Sequence, residues 1–415
     1  MKKLSLIIIS LLLLCVIAFN TAGCSKISAT DLMKGIKPNN VSDSNDLDET
    51  NAVAADFAIR LFRASLEDGK NTLISPLSVM CALAMTANGA DGKTREQMEA
   101  ALGMSVEELN LYLYTYLNSL PQGNKYELNL ANSIWFTDDE RFTVNNDFLQ
   151  TNADYYGADI YKAPFDNKTL KDINNWVNEK TDKMIPKVLD KIPDAAIMYL
   201  VNALAFEAEW ADVYKKNQVR AGIFTKEDGT EQDAKFMYST EGRYLEDENA
   251  TGFVKYYSGR KYAFVALLPN EGVTVSEYIN SLDGSSLHEL LSKGENESVR
   301  TAIPKFETEY SAEMSNILKS MGIADAFDEE FADFSGLGKS TEGNIFINRV
   351  IHKTYIQVGE KGTKAGAATV VEMADKMSAP HEPKQVYLDR PFIYILVDCE
   401  NNIPFFIGSM TDIKN

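Results

Sequence analysis

Few side chains in this 415-residue sequence could do covalent or metal chemistry. There are only three histidines and four cysteines. They are His288, His352, His381, Cys15, Cys24, Cys81 and Cys399. Three histidines leave little room for a multi-histidine metal site. The four cysteines are too few and too scattered for a disulfide framework or a zinc cluster. No metal or organic cofactor is expected.

Local motifs of known catalytic sites are also missing. The sequence contains neither G-x-S-x-G nor H-E-x-x-H; His381-Glu382, for example, is not followed by the second histidine. The segment G-K-S at 338–340 resembles the end of a phosphate-binding loop, but that loop needs a glycine where Asp333 stands. A Ser/His/Asp triad has no local signature here either. An enzyme is therefore the least favoured class of protein.

The balance of charge argues against anionic partners. The chain has 60 acidic and 41 basic residues, which give a formal net charge of -19. Such a chain lacks the excess of cations that neutralises phosphates, so nucleic-acid binding is not expected. With 45% hydrophobic and 24% charged residues, the composition is that of a globular protein.

The first 23 residues have the pattern of a secretory signal. Two lysines precede an apolar run over 4–19, which is short for a membrane span of about 20 residues. Small residues then lead to Cys24, as in the lipobox of bacterial lipoproteins, although Thr21 stands where leucine is usual. We expect 1–23 to be a lipoprotein signal peptide, with a lipid on Cys24 that anchors the chain to the outer face of the cell membrane. Ordinary secretory cleavage nearby, or an uncleaved anchor, is the alternative.

Residues 24–50 differ in composition from the rest of the chain. They are rich in Ser, Asn and Asp, with Gly35 and Pro38 as helix breakers. This composition predicts a flexible, solvated polar tether, and packing of part of it onto the body is the alternative. No linker or low-complexity stretch interrupts 51–415, so we expect these residues to form a single domain.

Apolar spacing predicts helices and strands in an irregular order. Val53, Phe57 and Leu61 recur at helical spacing, and Ser75-Pro76 begins a second helix with serine as its N-cap. Strands are expected over 128–136, 198–206, 263–268, 392–397 and 404–408. A mixture without strict alternation of helix and strand favours an α+β fold.

The strongest functional signal lies in residues 360–380. This segment is rich in Ala and Gly, and a compact domain rarely carries so long a stretch without a regular element. At a period of two, one face holds Thr363, Ala365, Ala367, Thr369, Val371 and Met373, and the other holds Lys364, Gly366, Ala368, Val370, Glu372 and Ala374. The loop therefore has the pattern of a strand with one buried face and one mixed face. An ordinary flexible Ala/Gly-rich loop is the alternative.

Several other segments of the chain match, in order, the sequence motifs of one known protein family. They are 71–97 (N-T-L-I-S-P-L-S-V-M…N-G-A-D-G-K-T-R-E-Q), 200–210 (L-V-N-A-L-A-F-E-A-E-W), 303–306 (I-P-K-F), 332–336 (A-D-F-S-G), 350–353 (V-I-H-K), Pro391-Phe392 and Gly408. In this order they resemble the serpin family of serine protease inhibitors, over nearly all of the chain after about residue 51.

The resemblance implies an α+β serpin fold of three β-sheets and eight to nine helices, with an exposed reactive-centre loop and a metastable native state. It also implies that a target protease cleaves the loop, which inserts into the central sheet and traps the acyl-enzyme. The expected function is suicide-substrate inhibition of serine endopeptidases, with cysteine endopeptidases as a further class, by a monomer that is not an enzyme. A non-inhibitory serpin that acts as a binding or structural surface protein is the alternative.

The resemblance also assigns the reactive loop residue by residue. In the family the hinge begins with a glutamate that is the seventeenth residue before the cleaved bond, and Glu360 matches it. The other hinge positions are Gly362, Thr363, Ala365, Gly366, Ala367, Ala368 and Thr369. Counting from Glu360 places the reactive bond at Lys376-Met377, suited to a trypsin-like protease. Met377-Ser378, suited to chymotrypsin-, elastase- or subtilisin-like enzymes, is the alternative.

Five further residues match the family positions that control the central sheet. They are Ser75, Ser78, Asn202, His352 and Trp210. In the family the first four form a hydrogen-bonded gate beneath the sheet, and the tryptophan lies at its top. Lys364 departs from the glutamate common in the family, and Glu207 and Glu209 depart from the basic residues common nearby. The family's local charge pairing is therefore not carried over.

Overall fold

The computed structural model describes residues 27–43, 47–140, 142–192, 197–341, 343–363 and 383–414. These ranges contain nine α-helices: α1 (Asp48–Ser65), α2 (Pro76–Ala87), α3 (Gly92–Leu102), α4 (Val106–Ser119), α5 (Asn146–Tyr156), α6 (Asn167–Lys180), α7 (Val275–Ser281), α8 (Gly284–Lys293) and α9 (Ser315–Ser320). Single turns of 3-10 helix lie at Lys216–Gln218, Ser258–Arg260 and Asp325–Phe327. In the part of the chain that is described, no helix is both long and apolar enough to cross a lipid bilayer.

The same ranges contain nineteen strands. They are β1 (Thr30–Asp31), β2 (Thr72–Ile74), β3 (Tyr126–Thr137), β4 (Phe142–Val144), β5 (Asp159–Ala163), β6 (Met198–Glu209), β7 (Val219–Thr225), β8 (Glu231–Glu241), β9 (Tyr244–Glu246), β10 (Ala250–Tyr256), β11 (Tyr262–Pro269), β12 (Val299–Pro304), β13 (Phe306–Glu313), β14 (Gly338–Ser340), β15 (Arg349–Gly359), β16 (Gly362–Thr363), β17 (Lys384–Tyr387), β18 (Phe392–Asp398) and β19 (Pro404–Met410). The five strands and two helices that we expected from apolar spacing all form.

These strands build three main sheets and a two-stranded ribbon of β4 and β14. The large sheet has the order β1-β5-β3-β6-β16-β15-β13. A six-stranded core sheet has the order β2-β19-β18-β11-β10-β9, and a four-stranded small sheet the order β17-β12-β8-β7. Three main sheets with nine helices confirm the expected α+β fold.

β6 lies in the middle of the large sheet and is buried along most of its length. One face of the strand packs against α2, all of whose residues are buried. On the other face, Tyr199 and Val201 belong to a cluster with Trp176 of α6. Because both faces are covered, the sequence of β6 is almost continuously apolar instead of alternating.

Helix α2 begins where its cap residues predict. The Ser75 hydroxyl accepts a hydrogen bond from the Ser78 backbone N–H at 3.3 Å, and Pro76 occupies the first turn, where its missing N–H costs nothing. Since α2 packs against β6, this cap also places Ser75 and Ser78 beneath the large sheet.

The prediction of a solvated tether over 24–50 is wrong for 27–43, which we call the N-terminal arm. β1 of the arm pairs antiparallel with β5 at the edge of the large sheet. Asp172 of α6 accepts hydrogen bonds from the backbone N–H groups of Ser28 (2.9 Å) and Ala29 (3.2 Å), and from the Ser28 hydroxyl. Backbone pairing and a buried carboxylate hold the arm on the body, although its composition is polar.

Candidate functional site: the seam of the large sheet

The two residues of β16 lie between β6 and β15 at one end of the large sheet. Gly362 pairs antiparallel with Glu209 of β6, and Thr363 pairs with Ala208. On their other side both residues pair antiparallel with the end of β15. We call β16 the wedge, and the facing edges of β6 and β15 the seam. The wedge therefore keeps the seam open at this end.

Only glycine fits the first position of the wedge. Gly362 has a φ of 153°, in the region that side chains rarely adopt. A Cβ atom there would lie 1.9 Å from the Ala208 carbonyl oxygen. The glycine expected at the root of the loop is therefore required by the close approach of β6.

At the other end of the seam, β6 and β15 pair directly and in parallel. The five residue pairs run from Tyr199 with Arg349 to Ala203 with Lys353. Between the wedge and this closed end, no pairing among the described residues crosses the seam at 204–207. The seam is thus open at one end, closed at the other, and unpaired between them in the described residues.

Thr363, the second residue of the wedge, is buried with only 1% of its surface exposed. Its hydroxyl is hydrogen-bonded to the Tyr257 hydroxyl at 2.5 Å. The Tyr257 ring stacks on Trp210, with ring centroids 4.4 Å apart and an interplanar angle of 10°. Burial raises the pKa of Tyr257, so the phenol stays protonated as a partner for Thr363.

The backbone that leads into the wedge is held by two aromatic residues. The Trp210 indole Nε1 donates to the Gly359 carbonyl at 2.8 Å, and the Trp210 backbone N–H donates to the Lys361 carbonyl at 2.8 Å. The Tyr214 backbone N–H donates to the Glu360 carbonyl at 2.9 Å. Trp210, which the family resemblance assigns to the top of the sheet, therefore lies at the open end of the seam.

Two ion pairs flank this end. Glu360 contacts Lys305 at 2.7 Å, and this hydrogen bond lowers the pKa of Glu360 although partial burial opposes the shift. Below the aromatic pair, the buried Lys255 ammonium contacts Glu241 at 2.8 Å and lies 4.5 Å from the centroid of the Tyr214 ring. Buried charges of opposite sign are tolerated there because each has a partner.

The closed end of the seam lies over a polar cluster. The Ser75 backbone N–H donates to His352 Nε2 at 3.1 Å, so the ring proton sits on Nδ1, which donates to Asn202 Oδ1 at 2.8 Å. The Ser78 hydroxyl donates to the same Asn202 oxygen at 3.0 Å. The structure therefore brings together the four residues to which the resemblance gave a gate role.

The chemistry of this cluster is not that of a catalytic site. Burial lowers the pKa of His352 to about 3, so the imidazole is neutral at physiological pH. Both ring nitrogens already have partners, in the Ser75 backbone N–H and the Asn202 side chain. The described ranges also contain no group of three or more His, Cys, Asp or Glu side chains that could hold a metal ion. The hydrogen bonds of the cluster join β6, β15 and α2.

The other predicted site residues lie outside the described residues. They are Cys24, Ala365, Gly366, Ala367, Ala368, Thr369, Lys376, Met377 and Ser378. Conversely, the sequence analysis missed Tyr257, Tyr214 and Lys255, which hold the open end of the seam. No local motif marks these three residues, because the core packing brings them to the wedge from distant strands and loops.

In the described residues, the large sheet thus has two central strands, β6 and β15, that pair directly at one end and are separated by the two-residue strand β16 at the other. The family model "Serpin (serine protease inhibitor)" matches residues 52–413. This chain belongs to the serpin family. Serpins are inhibitors rather than catalytic enzymes, and they typically bind target proteases.

Similar proteins share this fold over most of their length. The native state of the thermophilic serpin tengpin matches with a TM-score of 0.89 and 50% identity, covering 92% of this chain and 99% of that one. A serpin-like protein of Methanosarcina acetivorans is 30% identical in an alignment 432 residues long. The alignment covers 98% of this chain and 97% of that protein. The leukocyte elastase inhibitor of Equus caballus is 30% identical over 360 residues, 82% of this chain and 93% of its own.

Proposed function

We propose that this protein is a suicide-substrate inhibitor of serine endopeptidases. One observation carries the proposal: the wedge already occupies the open end of the seam, with Thr363 buried between β6 and β15. The residues that follow Thr363 have the period-two pattern of a strand. After cleavage of the loop, 364–373 would continue the wedge as a full strand and carry the attached protease along the sheet.

The length and energy of this step fit an inhibitor. Ten residues in a strand span about 33 Å, at about 3.3 Å per residue, which is enough to displace a bound protease far from its docking position. Each new backbone hydrogen bond contributes about 1 kcal/mol, and burial of the apolar face adds transfer energy. Since the inserted state is then the more stable one, the intact protein is held by a kinetic barrier.

The direct test mixes the full chain with trypsin, chymotrypsin or subtilisin. We expect a covalent complex that survives boiling in detergent, and a released peptide whose mass gives the reactive bond. A peptide beginning at Met377 supports cleavage of Lys376-Met377 by a trypsin-like enzyme, and one beginning at Ser378 supports the alternative bond. Cleavage without any complex would refute inhibition and favour a non-inhibitory binding or structural protein.

A substitution at Thr363 separates insertion from cleavage. Thr363→Arg should convert the inhibitor into a substrate, because an unpaired guanidinium cannot be buried beside Tyr257. The matched control Thr363→Ser keeps the hydroxyl and should still form the complex. If Thr363→Arg inhibits as well as the control, the wedge is not the start of the inserted strand.

We also propose that Cys24 carries a lipid that anchors the protein to the outer face of the cell membrane. The support is the signal pattern of 1–23. The N-terminal arm adds a geometric consequence: Ser28 is already bonded to Asp172, so only a few residues would separate the lipid from the body. Cys24→Ser should move the protein from the membrane fraction to the medium, and an unchanged distribution would exclude the lipid anchor.

A further inference from the structure

A cavity of about 340 Å³ lies beside the outer edge of β3 in the large sheet. It is lined by the first half of β3, the C-terminal end of α4 and the start of β5. β3 pairs with β5 only from Ser133 onwards, so the outer edge of 126–132 has no strand partner among the described residues. The cavity therefore occupies a place where the sheet is incomplete.

One wall of the cavity is apolar. It consists of Leu128 and Leu130 on β3, and of Leu117 and Leu120 at the C-terminal end of α4. Leu128 is buried, and the other three leucines are half-buried. An apolar group that packs against this wall leaves water together with the leucine surface, which favours binding of a carbon skeleton.

The polar feature of the cavity is the Asn132 side chain. Asn132 continues the alternation of Leu128 and Leu130, so it lies on the same face of β3. Its Oδ1 atom is buried and has no hydrogen-bond partner among the described residues. A carboxamide both donates and accepts hydrogen bonds, as does a hydroxyl or an amide group of a ligand. Such a group can therefore pair with Asn132 whichever way its amide is turned.

The charges at the cavity neutralise each other. Among the described residues that line it, Asp159 is the one acid and Lys180 the one base. Their side chains contact at 2.8 Å, and the Trp176 indole Nε1 donates to the same Asp159 oxygen at 2.8 Å. A charged ligand would compete with this ion pair, and an anion would also meet the net charge of -19. The cavity thus favours a neutral ligand.

We propose that this cavity binds a small neutral molecule of about ten non-hydrogen atoms, with an apolar skeleton and one hydroxyl or amide group. The polar group pairs with Asn132, and the skeleton packs on the four leucines. The site goes beyond the proposed function and does not depend on it, because none of its residues belongs to the wedge or to the reactive loop. It adjoins the polar cluster, since Asn132 pairs with Asn202 of β6.

The test uses the full chain and two probes of equal size, benzyl alcohol and ethylbenzene, which differ only in a hydroxyl and a methyl group. Ligand-observed NMR titrations give the two dissociation constants. Asn132→Leu should weaken the binding of benzyl alcohol by about three- to tenfold, through the loss of one hydrogen bond, and should not weaken that of ethylbenzene. Equal affinities of this variant and the wild type for benzyl alcohol would show that Asn132 does not hold the polar group.

Tryptophan substitutions on α4 locate the bound probe. Leu117→Trp should fill the cavity and abolish the binding of both probes. The matched control is Leu111→Trp, at an exposed position of the same helix that does not line the cavity, and it should leave both dissociation constants unchanged. If Leu117→Trp does not fold, Leu120→Trp takes its place. Undiminished binding in the filled variant would place the probes elsewhere and refute the site.

Benzoate tests the preference for a neutral ligand. It should bind about tenfold or more weakly than benzyl alcohol, because its carboxylate would compete with the pair of Asp159 and Lys180. Equal or tighter binding of benzoate would make Lys180 the main polar contact and contradict the proposal. The proposal also fails if neither neutral probe binds the wild type at millimolar concentration.

Discussion

Acid should weaken the closed end of the seam through His352. The neutral ring accepts a hydrogen bond from the Ser75 backbone N–H at Nε2 and donates to Asn202 from Nδ1. Protonation places a second ring proton at Nε2, against the Ser75 donor, and puts a charge in a fully buried position. Burial accordingly lowers the pKa of His352 from the ordinary 6.5 to about 3.

The folded and unfolded chains bind the His352 proton with different affinities, so the free energy of unfolding depends on pH. Because the folded-state pKa of His352 lies below its unfolded value, the neutral ring stabilises the fold fully above about pH 6.5. That contribution is lost as the pH falls from there towards about 3. At pH 4 the unfolded chain binds the proton and the folded chain does not, which lowers the free energy of unfolding by about 3 kcal/mol.

The assay is guanidinium unfolding of the intact protein between pH 7 and pH 4. His352→Gln removes the titrating ring, and His288→Gln, at an exposed position on α8, is the matched control. Wild type and control should lose about 3 kcal/mol more than His352→Gln over this range. Parallel stability profiles for His352→Gln and the wild type would show that the buried ring does not control the acid response.

Three further substitutions test the wedge and the arm. Gly362→Ala should lower the free energy of unfolding by about 2 kcal/mol or more in urea, since its Cβ would meet the Ala208 carbonyl; an unchanged midpoint would mean that the wedge does not lie on β6. Glu360→Lys should cost up to about 1 kcal/mol in the same assay, because Lys305 then faces a like charge at a half-exposed site. Asp172→Asn should weaken the contacts of the N-terminal arm and speed its limited proteolysis several-fold, and equal cleavage rates would contradict this role.

The sequence predicted the wedge in part. Period-two alternation puts Thr363 on a buried face, and in the structure its side chain is buried. The partner of that side chain could not be predicted, because Tyr257 reaches the wedge only through the packing of the core sheet against the large sheet. Spacing also found β6 and the cap of α2, whose signals are local.

For the N-terminal arm, composition alone led to the wrong prediction of a solvated tether. Polar residues and breakers predict solvation, but they say nothing about where the backbone finds hydrogen-bond partners. β5 would otherwise be the outermost strand of the large sheet, and the arm pairs with it. Asp172, far along the chain, then accepts the remaining N–H groups of Ser28 and Ala29. A single sequence does not reveal such long-range pairing.

In the proposed mechanism, the barrier to insertion and its driving force depend on different residues. The closed end must part first: five residue pairs and the hydrogen bond from His352 to Asn202 cross the seam and break before a strand can enter. Substitutions there should change the rate at which the intact protein converts. Residues that contact only an inserted strand gain those contacts afterwards, so substitutions of them should change the stability of the end point and barely affect that rate. The same seam can therefore be both slow to open and strongly favoured once filled.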